Sequence, residues 1–196
     1  MGFQIIDGTG TGKVAKVDSE NRLKAASDIR TQIAFISQEK QQAYVLTTGQ
    51  LAVTVTNGLM LYLRNTSQTS IIHVSNIFLS WSGGNTNHDR VVFAQLEGGL
   101  TAPITNTAVA TVANLNSGSG NVAPATALRW DGVGTGMIGG SPGLVVADAL
   151  FNRGFSQIPL NDAQIIQFND AIGIRLRGEE VGTAAITMSF YFEELT

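Results

Sequence analysis

Apolar and polar residues alternate along the C-terminal part of the chain. In residues 184–192 every second position is apolar, and the positions between are mostly small or polar. Successive side chains of a β-strand point to opposite sides of the sheet, so this period of two predicts a half-buried strand. The apolar face comprises Ala184, Ile186, Met188, Phe190 and Phe192. Residues 171–178 have the same pattern, and the GEEVG sequence that joins the two segments predicts a hairpin.

Similar runs lie earlier in the chain. LAVTVT (residues 51–56) and LMLYLR (residues 59–64) both alternate, and Asn57-Gly58 between them predicts a two-residue hairpin turn. Residues 71–81 are apolar on both faces, which is typical of a central strand or of a bulged one.

The spacing of these runs indicates the fold class. RVVFAQLEG, residues 90–98, predicts a further strand, and many short strands with Gly-rich turns are typical of all-β sandwiches or barrels. We expect one β-sandwich domain over residues 28–196. One helix is expected near residues 28–42, where three isoleucines follow a helical spacing.

The middle of the chain is nearly free of charge. Residues 98–128 contain no charged residue, and up to Ala147 only Arg129 and Asp131 interrupt the pattern. One interpretation is a long flexible loop, although such loops are uncommon inside compact domains. The other is an ordered excursion over residues 98–147 that packs against neighbouring subunits. Composition does not separate the two.

Bulk composition narrows the function classes. The 196 residues suit one domain that buries ~70% of its unfolded surface. Cysteine is absent, so disulfide and thiolate chemistry are excluded. Only 14% of residues are charged, which suits a surface that neighbouring proteins cover. The net charge of −3 argues against a nucleic-acid partner.

No run is long and apolar enough for a membrane helix, and residues 1–20 lack the apolar core of a signal peptide. We therefore expect a protein that is made and assembled in a cytoplasm.

Motifs that carry chemistry are weak. GTGMIG (residues 134–139) fits GxGxxG, but the GSPG that follows breaks the helix that a dinucleotide site needs. His73 lies in an apolar run and His88 in a loop beside Asp89, and a metal site needs three or four convergent ligands. Glu179-Glu180 and Glu193-Glu194 are typical of solvated edges. We therefore expect no enzyme activity, no catalytic residue, no cofactor and no metal.

Three large aromatic residues leave one binding function open. Trp81, Trp130 and Tyr62 could stack on a sugar, although such residues more often fill a core or an interface. They are the only feature of the sequence that favours a glycan-binding protein.

The N-terminal segment begins with a glycine-rich run, DGTGTGKVAKVDSENRLKA (residues 7–25). It is not a phosphate-binding loop, because Val14 stands where that motif needs Ser or Thr and Asp7 stands where it needs glycine. KVAKVD alternates and DSEN forms turns, so the run predicts a small hairpin. All four lysines lie in the first forty residues, which carry a net charge of +1 against −4 for the remainder.

This run resembles the N-terminus of structural proteins of tailed bacteriophage particles, most closely over residues 3–24. The resemblance implies a virion protein, assembled in the host cytoplasm, and favours a jelly-roll-like β-sandwich that forms homotrimers. We expect residues 1–27 to be an extended N-terminal attachment arm. Its cationic side chains are expected to contact the major capsid protein; they are Lys13, Lys16, Arg22 and Lys24.

Two functions follow from these expectations. The first is a capsid decoration or cement protein, made late in infection, that binds and stabilises the phage head through buried apolar area. The alternative is a receptor-binding module of a head fibre or tail that holds host glycan with exposed loops and tryptophans. Copy number in purified particles separates them, because decoration needs hundreds of copies and a fibre or tail only a few to a few dozen.

Overall fold

The computed structural model describes residues 36–53, 56–83, 92–103, 105–139, 143–151, 154–158, 160, 164–178 and 182–195. All of them belong to one compact unit. Across these ranges there is no helix of the length and apolarity that a membrane crossing requires.

The described residues form a one-turn π-helix, Ile36–Lys40, followed by β-strands. The strands of the first half are β1 (Ala43–Thr47), β2 (Leu51–Val53), β3 (Thr56–Asn65), β4 (Ser70–Gly83), β5 (Val92–Gly98), β6 (Thr107–Val109) and β7 (Thr111–Asn114). Those of the second half are β8 (Ala125–Trp130), β9 (Leu144–Phe151), β10 (Gly154–Gln157), β11 (Gln164–Ile166), β12 (Ala171–Gly178) and β13 (Gly182–Glu194).

The strands make two antiparallel sheets. Sheet I has the order β10-β4-β13-β1-β7, with β11 paired to β4 and β2 paired to β13. Sheet II has the order β6-β8-β3-β12-β5-β9. One core cluster joins apolar side chains of both sheets, for example Ile186 and Leu79 of sheet I with Leu61 and Ile174 of sheet II. The prediction of an all-β sandwich is therefore confirmed; its jelly-roll connectivity stays a prediction.

The period-two prediction for the two C-terminal strands is confirmed. All five apolar side chains on the predicted face of β13 are buried, and in β12 Ile172, Ile174 and Leu176 are buried as expected. The long apolar run is the central strand β4, with β13 on one side and β10 and β11 on the other. It is also bulged: Ser189 and Phe190 oppose Asn76 and Val74, which leaves Ser75 as the extra residue.

The predicted Asn57-Gly58 hairpin is wrong. Strand β2 pairs with β13 in sheet I, whereas β3 already includes both residues and pairs with β12 in sheet II. Gly58 serves another purpose there, because a Cβ at this position would lie 1.9 Å from the carbonyl oxygen of Thr135. Glycine is needed for close approach of a loop rather than for a turn.

The predicted GEEVG hairpin is also wrong. Strand β12 lies in sheet II between β3 and β5, and β13 lies in sheet I between β4 and β1. The chain therefore passes from one sheet to the other between them. A period-two pattern identifies a strand and its buried face, but it does not identify the strand's partner.

The described residues of 98–147 are ordered in strands of the domain rather than forming one flexible loop, and their packing against neighbouring subunits stays a prediction. These residues supply β6, β7 and β8 and the start of β9, in both sheets. The asparagine-rich segment after β7 is held by its own side chains. Asn114 Oδ1 accepts from the backbone N–H of Asn116 at 2.8 Å, and Asn116 Oδ1 accepts from that of Gly118 at 3.1 Å. These are Asx-type turns, in which side chains replace backbone partners.

Of the helix expected near residues 28–42, the described part is the π-helical turn Ile36–Lys40. That turn ends at Lys40, Gln41 has a positive φ of 55°, and β1 begins at Ala43. Residues 28–35 lie outside the described residues, as do the predicted arm, residues 1–27, and the boundary after it.

Candidate assembly surfaces

The sandwich has two lateral sides, and each includes one end strand of sheet II and one end strand of the β10-β4-β13-β1-β7 path of sheet I. At one side, β6 of sheet II continues through Ala110 into β7 of sheet I. At the other, β9 of sheet II leads through residues 152–153 into β10 of sheet I. These are the β6–β7 side and the β9–β10 side. Among the described strands, none pairs with the outer edges of these four, so their outward backbone groups have no strand partner.

The β6–β7 side contains an apolar groove between the edges of the two sheets. Its volume is about 320 Å³. Small side chains line it, namely Ala110, Ala123, Ala125 and Ala127. Its rim carries two valines that project into solvent, Val109 with 81% and Val122 with 86% of their surface exposed.

Tyr44 and Asn114 form the polar end of this groove. Tyr44 is buried, and burial raises the pKa of its hydroxyl above the ordinary value, while a hydrogen bond with Asn114 opposes that shift. Asn114 Nδ2 also donates to the carbonyl of Gln41 at 2.8 Å. These contacts tie the wall of the groove to the start of β1, so the groove is part of the folded domain.

The β9–β10 side carries exposed apolar side chains. Leu144 is 84% exposed, and Val145 and Val146, the next two residues of β9, are about half exposed. A bulge shifts the β5–β9 register between Leu96 and Glu97, which leaves Val146 as the extra residue. In β10, Phe155 is 68% exposed and stacks on Phe78 of β4 with ring centroids 5.1 Å apart; both are members of sheet I.

Charge is scarce on both lateral sides. Strands β6 and β7 and the segment 115–124 contain no charged residue, and β9 and β10 together contain only Asp148. One strand inward from β9, the carboxylate of Glu97 is 2% exposed and is neutralised by Arg175. The guanidinium donates from Nε to Oε1 at 2.5 Å and from Nη2 to Oε2 at 3.1 Å. Uncharged apolar edges of this kind are typical of surfaces that another protein covers.

His73 is a structural residue rather than part of a ligand set. It is buried on β4 and stacks on Tyr191 with ring centroids 4.9 Å apart and planes 7° from parallel. Its Nε2 lies 2.7 Å from Glu193 Oε2, without hydrogen-bond geometry. Burial, and secondarily the negative charge of Glu193, raise the pKa of Tyr191. The second histidine, His88, lies outside the described residues.

The three candidate sugar-stacking residues are in the core. Trp81, Trp130 and Tyr62 are all buried, and none presents a ring face to solvent. Trp130 Nε1 donates to the carbonyl of Val133 at 2.6 Å, which fixes the turn before residues 134–139. The core interpretation of these residues is confirmed, and the observation that favoured glycan binding is removed.

The remaining predicted residues fall in two groups. Glu193 and Glu194 are exposed at the end of β13, as expected for a solvated edge. Lys13, Lys16, Arg22 and Lys24 lie outside the described residues, as does the Glu179-Glu180 pair. Within the part of the chain that the structure describes, no three His, Asp or Glu side chains converge as metal ligands would.

No protein-family model matches the chain, and no curated protein matches it in sequence. Function therefore has to be inferred from the geometry of the described residues and from the N-terminal resemblance. The sequence did not reveal the two lateral sides. It did contain one signal that could have pointed to them: a segment with few charges that is rich in valine, threonine and alanine is more typical of a β-strand than of a solvated loop.

Proposed function

We propose that the protein is a structural subunit that works by covering and joining other protein surfaces, and specifically that it is a capsid decoration or cement protein of a tailed bacteriophage. The observation that supports this most is the pair of apolar lateral sides with few charged residues on a well-packed sandwich. Exposed apolar surface of this extent is costly on an isolated protein, and it is useful on one that is assembled. The phage assignment rests on the resemblance over residues 3–24.

The proposed mechanism is mechanical. Apolar area removed from water contributes ~25 cal/mol per Å² before the costs of association. A subunit that contacts neighbouring capsid proteins therefore raises the free energy needed to separate them. In this proposal the sandwich supplies the rigid body, and the arm of residues 1–27 contacts the major capsid protein through Lys13, Lys16, Arg22 and Lys24.

The receptor-binding alternative is not carried forward. It relied on exposed loops together with Trp81, Trp130 and Tyr62 as rings that stack on a sugar, and all three rings are buried. Trp81 and Trp130 are the two tryptophans of the chain, so no tryptophan is exposed.

Copy number in purified virions of the phage that encodes the chain tests the proposal. Quantitative mass spectrometry against the major capsid protein should give hundreds of copies per particle. A few to a few dozen copies would contradict a decoration role and would place the protein on a fibre or tail.

A second experiment tests the arm. Deleting residues 1–27 should leave a cooperative thermal melt and abolish binding to capsids that lack the protein. The variant K13E/K16E should bind these capsids more weakly, whereas Lys40→Glu is the control, because it changes the charge of the same N-terminal region outside the arm. Full occupancy by the deletion variant would show that the arm is not the anchor.

A further inference from the structure

The outer face of sheet I, which is the face turned away from the core, carries a row of side chains that crosses five strands. From β10 to β7 the residues of this row are Gln157, Phe78, Thr187, Thr47 and Thr111. Thr187 lies between the core residues Ile186 and Met188, so the row points away from the core. Neighbouring strands lie about 4.8 Å apart, which makes the row roughly 19 Å long. A row of this length suits an extended ligand.

An exposed aromatic pair lies at the β10 end of the row. Phe155 of β10 is 68% exposed and stacks on Phe78 of β4, with ring centroids 5.1 Å apart and planes 24° from parallel. One face of the Phe155 ring is therefore occupied by Phe78, and its exposed area belongs mainly to the other face and the edge. A ring held by its neighbour in this way loses little side-chain freedom when a ligand stacks on it.

Two amide side chains lie beside the aromatic pair on the same face. Gln157 Nε2 donates to Asn76 Oδ1 at 3.0 Å, so each amide group orients the other. Gln157 keeps its carbonyl oxygen as an acceptor, and Asn76 keeps an N–H as a donor. A hydroxyl group both donates and accepts hydrogen bonds, so a ligand rich in hydroxyl groups can use both amides.

The lack of charge narrows the class of ligand. The residues of the row and of the two pairs are uncharged, and so are the neighbours Ser80, Ala185, Ser189 and Val45. Nucleic acids are bound through basic side chains, which this site lacks. A protein interface has an apolar centre inside a polar rim, whereas here two rings lie at the end of a polar row. Neutral sugars fit this pattern, because they combine an apolar C–H face, which stacks on an aromatic ring, with hydroxyl groups.

We propose that the outer face of sheet I binds a neutral glycan, with one sugar ring stacked on Phe155 and the glycan chain extending along the row toward β7. Gln157 and Asn76 hydrogen-bond the hydroxyl groups of the stacked sugar, and Thr187 and Thr47 contact the sugars that follow. The site uses none of the three buried aromatic residues that the sequence had favoured for glycan binding. It goes beyond the proposed function and does not rest on it.

A glycan array probed with the full-length protein tests the site. The array carries linear neutral hexasaccharides of glucose, mannose, galactose and N-acetylglucosamine, together with sialylated and uronic-acid glycans. At least one neutral hexasaccharide should bind, and isothermal titration calorimetry with it gives the Kd. Phe155→Ala should weaken binding at least about 10-fold, as the loss of a hot-spot residue does. Phe168→Ala is the matched control, because Phe168 is also an exposed phenylalanine, at 43%, but lies between β11 and β12.

Two further variants test the amides and the direction of the row. Gln157→Ala should weaken binding of the hexasaccharide and of the corresponding disaccharide alike, since it acts on the stacked sugar. Thr187→Val keeps the shape of the side chain and removes its hydroxyl group. It should weaken binding of the hexasaccharide and leave the disaccharide unaffected. The thermal melts of all variants should match that of Phe168→Ala, so that a loss of binding reports on the site and not on the fold.

Four outcomes would overturn the inference. They are no binding to any neutral glycan, binding to acidic glycans alone, undiminished binding by Phe155→Ala, and an equal loss of binding by Phe168→Ala. If Phe155→Ala binds glycans like the wild type but no longer binds capsids, the face is a protein interface instead. The array uses the free protein, whereas copy number in virions tests decoration, so each proposal can fail without the other.

Discussion

The ion pair between Glu97 and Arg175 should be a main determinant of stability in sheet II. The two residues lie on the neighbouring strands β5 and β12, and the guanidinium contacts both carboxylate oxygens. Replacing Arg175 with methionine keeps much of the apolar stem and removes the charge. Glu97, only 2% exposed, would then be a buried carboxylate without its partner.

The expected cost follows from this geometry. Two unit charges about 4 Å apart at an effective dielectric constant of 20 attract by ~4 kcal/mol. Removing one partner of a buried pair typically costs about 3–5 kcal/mol, because the remaining charge has lost water and gained nothing. Single domains are stable by only about 5–15 kcal/mol, so Arg175→Met should remove about a fifth of the total or more.

A double-mutant cycle measures the pair directly. The variants are Arg175→Met, Glu97→Gln and their combination, and urea unfolding at constant pH gives the free energy of each. The double variant should be more stable than Arg175→Met alone, because no unpaired charge remains.

The cycle has a clear negative outcome. If Arg175→Met loses less than about 1 kcal/mol at neutral pH, the carboxylate is effectively solvated and the pair behaves like an ordinary surface salt bridge. A coupling energy near zero would lead to the same conclusion. Arg177→Met is the control, because Arg177 is an exposed arginine on the same strand.

Two further predictions concern the close loop contact and the tyrosines. Gly58→Ala should destabilise the fold by about 1–3 kcal/mol or more through overpacking, because the added Cβ would overlap the carbonyl of Thr135. Gly120→Ala is the control, since there is open space around its Cβ, and it should leave the thermal midpoint unchanged. Equal midpoints for the two variants would show that the loop at Thr135 moves aside without cost. Burial raises the pKa of three tyrosines, so the folded state holds their protons more tightly and stability should fall as the pH rises above 10. These tyrosines are Tyr44, Tyr62 and Tyr191. Urea midpoints from pH 8 to pH 11 test the prediction, and a profile that stays flat over this range would contradict it.

The sequence by itself determined the class of fold and most of its buried faces. The alternation in β12 and β13 predicted which side chains are buried, because each strand residue points to one side or the other whatever its partner is. The core positions of Trp81 and Trp130 agree with the more frequent of the two roles that the sequence left open, since large aromatic side chains usually pack in a core or an interface. These conclusions need only local geometry.

The pairing of strands was decided by the tertiary structure. Asn57-Gly58 has a strong turn signal, yet β3 runs through it, since its flanking strands belong to different sheets. The same applies to the segment between β12 and β13. Hairpin signals are local, whereas the choice of partner depends on which faces bury the most apolar area across the whole chain.

The candidate assembly surfaces were likewise beyond the sequence. Val109 and Leu144 are thirty-five positions apart in a segment that contains only two charged residues, and nothing in the pattern indicates that they lie at opposite edges of sheet II. Composition predicted that the segment has little charge to solvate. Only the strand order decided that this segment supplies two of the four edge strands, β6 and β7, and begins a third, β9, because an edge is defined by the neighbour that a strand lacks.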